Sequence, residues 1–256
     1  MDLGLKDRTY VVTGASQGLG FAVAEALVND EANVVVASRG EQGIQAAAEQ
    51  LGDRAVGIAA DLRDPATPAR LVSAAKERYG ALDGAFVSHG GPPPGTAVAL
   101  DDDTLQEGFE MATMAPVRFV REVAGALSEG GSIAVLTSWS SVQPIPGLAS
   151  SNVTRPGTWG YLKTLADEVG PRGIRVNAVF CGRFATERQI DLQEEIARSR
   201  GTTRAVILEE IEGEIPLGRM GDPRELGAVG AFLLSPAASY VTGAAWLVDG
   251  GIVRAL

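Results

Sequence analysis

The chain reads as an α/β protein, one doubly wound domain with a parallel sheet of about seven strands and helices on both faces. Three observations predict this. Short β-branched runs alternate with Ala/Leu/Glu-rich segments along all 256 residues, the order that right-handed βαβ crossovers produce. Several runs are apolar on both faces, such as Val34-Val35-Val36 and Ile133-Ala134-Val135-Leu136, as strands covered on both sides must be. A glycine-rich turn joins the first such run to the first helical segment.

The elements follow in order. Strands are predicted over Thr9–Thr13, Asn33–Ser38, Arg54–Ala60, Leu82–Ser88, Ser132–Thr137, Arg175–Val179 and Ala245–Val248 from their β-branched, apolar character. Helices are predicted between them at 18–30, 41–51, 67–79, 102–127, 157–169 and 223–235. The acidic run Asp101-Asp102-Asp103 suits the positive end of the fourth helix rather than a metal cage. Two stretches break the alternation. Gly90-Gly91-Pro92-Pro93-Pro94-Gly95 is a stiff loop after the fourth strand. Thr186–Pro216 is long, charged and strandless, and reads either as a lid-like helical insertion at about 186–216 or as a solvated excursion. No repeat, low-complexity tract or linker divides residues 1–256, so a single domain is expected.

Composition narrows the function. A net charge of −10 speaks against nucleic acid, whose phosphates need a basic surface. No apolar run approaches a membrane span, and the N-terminus has no apolar signal core. The lone Cys181 cannot form an internal disulfide. One histidine and one cysteine are too few for a credible metal site. The expectation is a cytoplasmic protein acting on a small-molecule substrate, with no membrane or nucleic-acid partner.

Thr13-Gly14-Ala15-Ser16-Gln17-Gly18-Leu19-Gly20 carries the most chemistry. Glycines let the backbone turn sharply and approach a diphosphate, while the helix N-terminus offers unpaired N–H groups and a positive dipole. Its place at the start of an alternating α/β chain is the context that a dinucleotide site requires. At the end of the second strand, Ala37-Ser38-Arg39-Gly40 carries no acid to hold a ribose 2′-hydroxyl. A guanidinium there suits a 2′-phosphate, so NADP(H) is preferred over NAD(H), unless Arg39 merely faces solvent.

The Gly-x-x-x-Gly-x-Gly spacing resembles that of short-chain dehydrogenases/reductases, and the resemblance covers essentially the whole chain, which is similar overall to 3-oxoacyl-[acyl-carrier-protein] reductases. Asp61-Leu62 matches the family's adenine-contacting position, and Val87-Ser88-His89-Gly90-Gly91 stands where the family has Asn-Asn-Ala-Gly. Ile174 to Val179, then Gly182 and Thr186, resemble the sixth strand and its nicotinamide-contacting threonine, with Cys181 replacing the usual proline. Pro216-Leu217-Gly218-Arg219, Tyr240-Val241-Thr242-Gly243 and Val248-Asp249-Gly250-Gly251 are further signatures. The resemblance implies a Rossmann fold, a nicotinamide cofactor held by Gly14, Ser16, Gln17, Gly18, Leu19, Gly20, Ser38, Arg39, Asp61, Leu62, Ser88, His89, Gly90, Arg155, Gly182 and Thr186, and a homo-oligomer, tetramer or dimer.

The resemblance also implies a catalytic serine, a Tyr-x-x-x-Lys pair and a relay asparagine. The serine falls on Ser138, but the tyrosine position is Ser151 and the lysine position Arg155. Ala112 stands where the asparagine is expected, and no tyrosine anywhere in the chain is followed four residues later by lysine. Ser138, Ser151 and Arg155 are therefore the catalytic candidates. An aliphatic hydroxyl is a far weaker acid than a phenol, and arginine does not release its proton. Pro156 leaves two arrangements open: a helix begun near Ser150 and disturbed, or one starting at Pro156 with Ser151 in a loop. His89 is either a general acid/base or a packing residue, and Trp139 either lines the pocket or fills the core. Two functions fit: an NAD(P)-dependent carbonyl/alcohol oxidoreductase with non-standard catalytic residues, or a nucleotide-binding pseudoenzyme used for sensing or assembly.

Overall fold

The computed structural model describes residues 2–254. Seven strands pair in parallel: β1 (Thr9–Thr13), β2 (Asn33–Ser38), β3 (Ala55–Ala59), β4 (Gly84–Val87), β5 (Ser132–Ser138), β6 (Arg175–Cys181) and β7 (Ala245–Val248). Their order in space is β3-β2-β1-β4-β5-β6-β7. The chain runs outward from β1 in one direction, then crosses to β4 and runs outward in the other. That reversal opens a crevice at the carboxyl edge between β1 and β4, where open α/β sheets bind ligands.

Period-two alternation sends neighbouring residues to opposite faces. Val11 and Val35 join Leu71, Phe119 and Leu162 in the core on one side. Val12 and Val36 join Leu27, Ile44 and Leu226 on the other. The first layer comprises α3 (Thr67–Tyr79), α5 (Ala115–Ala126) and α6 (Ala149–Val169); the second comprises α1 (Gly18–Asn29), α2 (Glu41–Leu51) and α9 (Pro223–Leu234). Both faces of the sheet are thus buried, which accounts for the uninterrupted apolar strands.

The structure corrects two predicted helices. The segment predicted as one helix over 102–127 is α4 (Asp102–Phe109), a π-helical turn at Glu110–Met114, then α5. Pro116 has no N–H to close an α-type bond onto Ala112. The Thr158 hydroxyl donates to that carbonyl instead, at 2.6 Å. The helix predicted from 157 begins eight residues earlier, at Ala149, and passes through Pro156. Its start is pinned from outside. The Asn152 side-chain amide donates to Ile145 O at 3.0 Å and accepts from Ile145 N at 2.9 Å. Gly95 N donates to Gly147 O at 2.7 Å, and Ala149 N donates to Gly95 O at 3.0 Å, so the proline loop docks on the same turn.

The insertion after β6 is helical, with α7 (Glu187–Arg200) and α8 (Arg204–Glu214) joined at Gly201. Trp139 is a packing aromatic, buried in a satellite cluster with Ile215, Met220 and Ile252 that ties the end of this insertion to β5. Among the described residues, no helix is long and apolar enough to cross a membrane.

Candidate active site

The glycine-rich turn is shaped by backbone contacts. Gly14 has φ +59°, and a Cβ there would lie 2.8 Å from Ser88 O; a Cβ at Gly20 would collide with the carbonyl of Gly14. Ser88 is held in turn by Thr13, whose hydroxyl donates to Ser88 O at 2.8 Å and accepts from Ser88 N at 3.1 Å. These bonds clamp the carboxyl ends of β1 and β4 together at the crevice. Gln17 is the N-cap of α1 in extended conformation, and no side chain caps the helix. Its first N–H groups are therefore without a side-chain partner at the positive end of the helix dipole. Thr186 closes the turn from above: its Cγ2 is 3.6 Å from the position a Cβ would take on Gly18. Leu19 packs half-buried against the core.

At the end of β2, the Ser38 hydroxyl is buried with no hydrogen-bond partner. Arg39 beside it is exposed and makes no ion pair among the described residues. Ser16 approaches from the glycine-rich turn, 3.7 Å from a Cβ position on Gly43 of α2. Ser38 and Arg39 thus lead into α2, and Ser16 lies against its first turn. Asp61 is gripped by its neighbour: Arg63 Nη2 donates to Oδ2 at 2.7 Å, and Arg63 N donates to Oδ1 at 3.0 Å. These bonds hold the Asp61 carboxyl below the usual carboxylate range. Leu62 packs half-buried on the core. Gly182 is set by packing, since a Cβ there would lie 2.5 Å from Asp249 Cα.

On the other side of the crevice, the continuous α6 puts Ser151 and Arg155 on one face, one turn apart. Arg155 Nε donates to Ser151 Oγ at 3.2 Å. Ser151 Oγ also pairs with Ser140 Oγ at 3.0 Å, and Ser138 Oγ accepts from Ser140 N at 3.1 Å. Sequence reasoning gave Ser140, which joins the strand serine to the helix serine, no role of its own beyond a hydroxyl cluster that fits either a polar pocket or a strand end. Its signal was the hydroxyl cluster Thr137-Ser138-Ser140-Ser141, two residues beyond the family position. Ala112 is fully buried and brings no polar side chain to the site.

Arg155 is only 8% exposed. Burial lowers its pKa, and the positive field of Arg188 adds to the effect. Two other groups that feel its charge, Cys181 and His89, are neutral. The Cys181 thiol is pushed up by burial, and its Sγ donates to Thr137 O at 3.1 Å. His89 is held down to about 3, first by burial and then by the charge of Arg155. Its Nδ1 lies 3.0 Å from Gly90 O, so Nδ1 carries the proton and Nε2 the lone pair. That Nε2 is buried with no partner. A neutral imidazole of such low basicity is a poor general acid or base at neutral pH. Arg155, Arg183 and Arg188 form no ion pair among the described residues. No group of three or more His, Cys, Asp or Glu able to hold a metal occurs among them either.

Comparison with known proteins agrees with this architecture. A family model described as Enoyl-(Acyl carrier protein) reductase matches residues 14–253. The chain is 32% identical to an L-rhamnose 1-dehydrogenase (NAD(P)(+)) of Azotobacter vinelandii, over 97% of each chain. It is 29% identical to a 3-oxoacyl-[acyl-carrier-protein] reductase of Vibrio cholerae, over 98% of this chain and 99% of that one. The structure of an L-sorbose reductase from Gluconobacter frateurii, complexed with NADPH and L-sorbose, superposes with a TM-score of 0.94 at 30% identity, covering 100% of both chains.

Proposed function

The chain belongs to the short-chain dehydrogenase/reductase family of oxidoreductases, and from that premise we propose that it is an NADP(H)-dependent oxidoreductase of a small carbonyl/alcohol pair, working without the phenol and ammonium usual in the family. The carrying observation is the uncapped start of α1, framed by Gly14 and Gly20 and roofed by Thr186. These features fit a dinucleotide diphosphate. Ser38, Ser16 and Arg39 supply hydroxyl and guanidinium donors for a 2′-phosphate. His89 Nε2 supplies a buried acceptor for a sugar hydroxyl or amide at the nicotinamide end.

When bound, the nicotinamide supplies or takes up the hydride. The chain's own residues manage the oxygen. Arg155 keeps a fixed positive charge in a largely buried site, where it stabilises negative charge developing on a carbonyl oxygen. The Ser138 hydroxyl accepts from Ser140 N and retains its own proton for donation. With Ser140 donating to Ser151, the Ser151 hydroxyl also points a proton at the substrate oxygen. Reduction adds hydride to carbon, moves the C=O π pair to oxygen, and draws the final proton from water. Neither serine nor arginine is acidic enough to supply it. Oxidation of the alcohol is the reverse.

Assembly into a dimer or tetramer is part of the proposal. Phe109, Met114 and Val153 are exposed on the α4–α6 side, and Tyr240 and Leu247 at the β7 edge. A second reading, a nucleotide-binding protein without redox chemistry, draws on the neutral His89 and the missing acid. The test is NADPH titration by calorimetry followed by NADPH consumption over a panel of ketones, diketones and β-ketoacyl thioesters, with Arg155→Ala alongside. Binding plus turnover that depends on Arg155 is the expected result. Binding without turnover on any carbonyl favours the second reading, and no binding removes both.

A further inference from the structure

The geometry points to an anion site beside the reacting oxygen, in which Arg155 and Arg188 bracket the turn after β4 and select a substrate bearing a carboxylate, that is, an oxo acid or hydroxy acid. This inference rests on the oxidoreductase reading above and names the substrate class for it.

The first support is an uncompensated buried charge. Arg155 is 8% exposed, and the one hydrogen bond its guanidinium makes to the described residues goes from Nε to the neutral Ser151. His89 and Cys181 beside it are neutral as well. A buried cation is costly unless paired, and arginine cannot escape by losing its proton. The second support is the position of Arg188. Its Nη2 lies 3.2 Å from the position a Cβ would take on Gly91, so the guanidinium lies across the turn that follows His89. Arg188 sits in the first turn of α7, where the helix dipole disfavours a cation. Its field also opposes that of Arg155. Two like charges thus lie within each other's field, Arg188 against Gly91 and Arg155 acting on His89, in a chain whose net charge is −10.

The dinucleotide phosphates do not account for this pair. The diphosphate position is at the start of α1, and the 2′-phosphate donors are at Ser38 and Arg39. Thr186 lies against Gly18 while Arg188 lies against Gly91. Across two residues, the chain steps from the phosphate turn to the turn after β4. A planar guanidinium fork matches a carboxylate, with two parallel N–H donors. The oxo acid therefore sets its carbonyl oxygen at Ser138, Ser151 and Arg155 and its carboxylate toward Arg188.

The test is a binding measurement, independent of turnover. Pyruvate, 2-oxobutyrate, 2-oxohexanoate and acetoacetate, each beside its neutral amide, are titrated by calorimetry into the apo protein and into its complex with NADP+. Wild-type protein is expected to prefer at least one acid over its amide by about tenfold or more, the scale of one charge-assisted bond. Arg188→Ala should erase most of that preference, and Arg188→Lys should restore part of it, while NADPH affinity measured separately holds. Equal affinity for acid and amide throughout overturns the anion site. So does an Arg188→Ala variant that loses NADPH affinity as fully as acid affinity, because Arg188 then serves the diphosphate. Failure of NADPH to bind wild type overturns the cofactor reading alone; Arg188-dependent acid binding to the apo protein would still uphold the anion site.

Discussion

The two sides of the crevice are built on different principles. Around β1, α1 and β4, position is set by main chain: Gly14 and Gly20 have no room for a side chain, and Thr13 laces its hydroxyl through both backbone groups of Ser88. Around β5 and α6, position is set mostly by side chains: Ser138, Ser140, Ser151 and Arg155 are linked through hydroxyls, one guanidinium and the Ser140 N–H. A main-chain cradle tolerates almost no substitution at its glycines. A side-chain relay is open to exchange while its helix and strand stay in place. The fold can thus keep its nucleotide half and alter its chemical half.

The sharpest way to break this contrast is Gly20→Val. The new side chain must displace the Gly14 carbonyl, which overpacks the turn and misdirects the N–H groups beside it. NADPH affinity is expected to fall by about 100-fold or more, read by calorimetry. Retained affinity would show that the cradle is not backbone-limited. Arg155→Met is the counterpart on the other side. Removing a buried, unpaired cation should raise the thermal midpoint, while carbonyl turnover falls by about 100-fold as oxyanion stabilisation is lost. A drop in midpoint with turnover intact would reverse the assignment of Arg155 from function to scaffold.

The same contrast governs what the sequence reveals. The cradle was legible because glycine spacing, strand alternation and helix order are local patterns with few solutions. Ser38 and Arg39 could be located for the same reason, lying at a fixed offset from a strand end; their part in cofactor choice is a proposal. The relay was only half legible. Ser138, Ser151 and Arg155 could be located by counting, but whether Ser151 and Arg155 share a face depended on where α6 begins. That start is fixed by Asn152 bonding to Ile145 and by Gly95 pairing with Gly147 and Ala149. Such contacts span loops and leave no periodic trace, so a local proline rule pointed toward a later start. Ser140 stood out only as one of a hydroxyl cluster, and Arg188 not at all, because their contacts are with neighbours distant along the chain.

A smaller effect sharpens the comparison through pH. His89 is the chain's one histidine, and its folded pKa of about 3 lies below the unfolded value of about 6.5. Between those values the unfolded chain binds the extra proton, so stability is full above about pH 6.5 and declines as pH falls toward 3. The loss is expected to reach about 2 kcal/mol between pH 6.5 and 4.5, read from urea midpoints. His89→Gln should flatten that slope. An unchanged slope would place its origin among the carboxylates instead.

The smallest expected effect lies where the two constructions meet. Thr158 stands on α6 three residues beyond Arg155, yet its hydroxyl serves main chain, donating to Ala112 O in the π-helical turn. Thr158→Val keeps the shape and removes the donor, leaving a buried carbonyl that Pro116 is unable to serve. An unsatisfied buried acceptor costs about 1–3 kcal/mol. Because Thr113 Oγ1 also lies within 3.3 Å of Thr158 Oγ1 and itself donates to Thr154 O at 3.0 Å, local rearrangement holds the cost near the lower end. The variant should therefore unfold at modestly lower urea while binding NADPH normally. A large loss of turnover with stability intact would mean that the π turn positions Arg155 through α6, and the chemical half would then depend on backbone geometry after all.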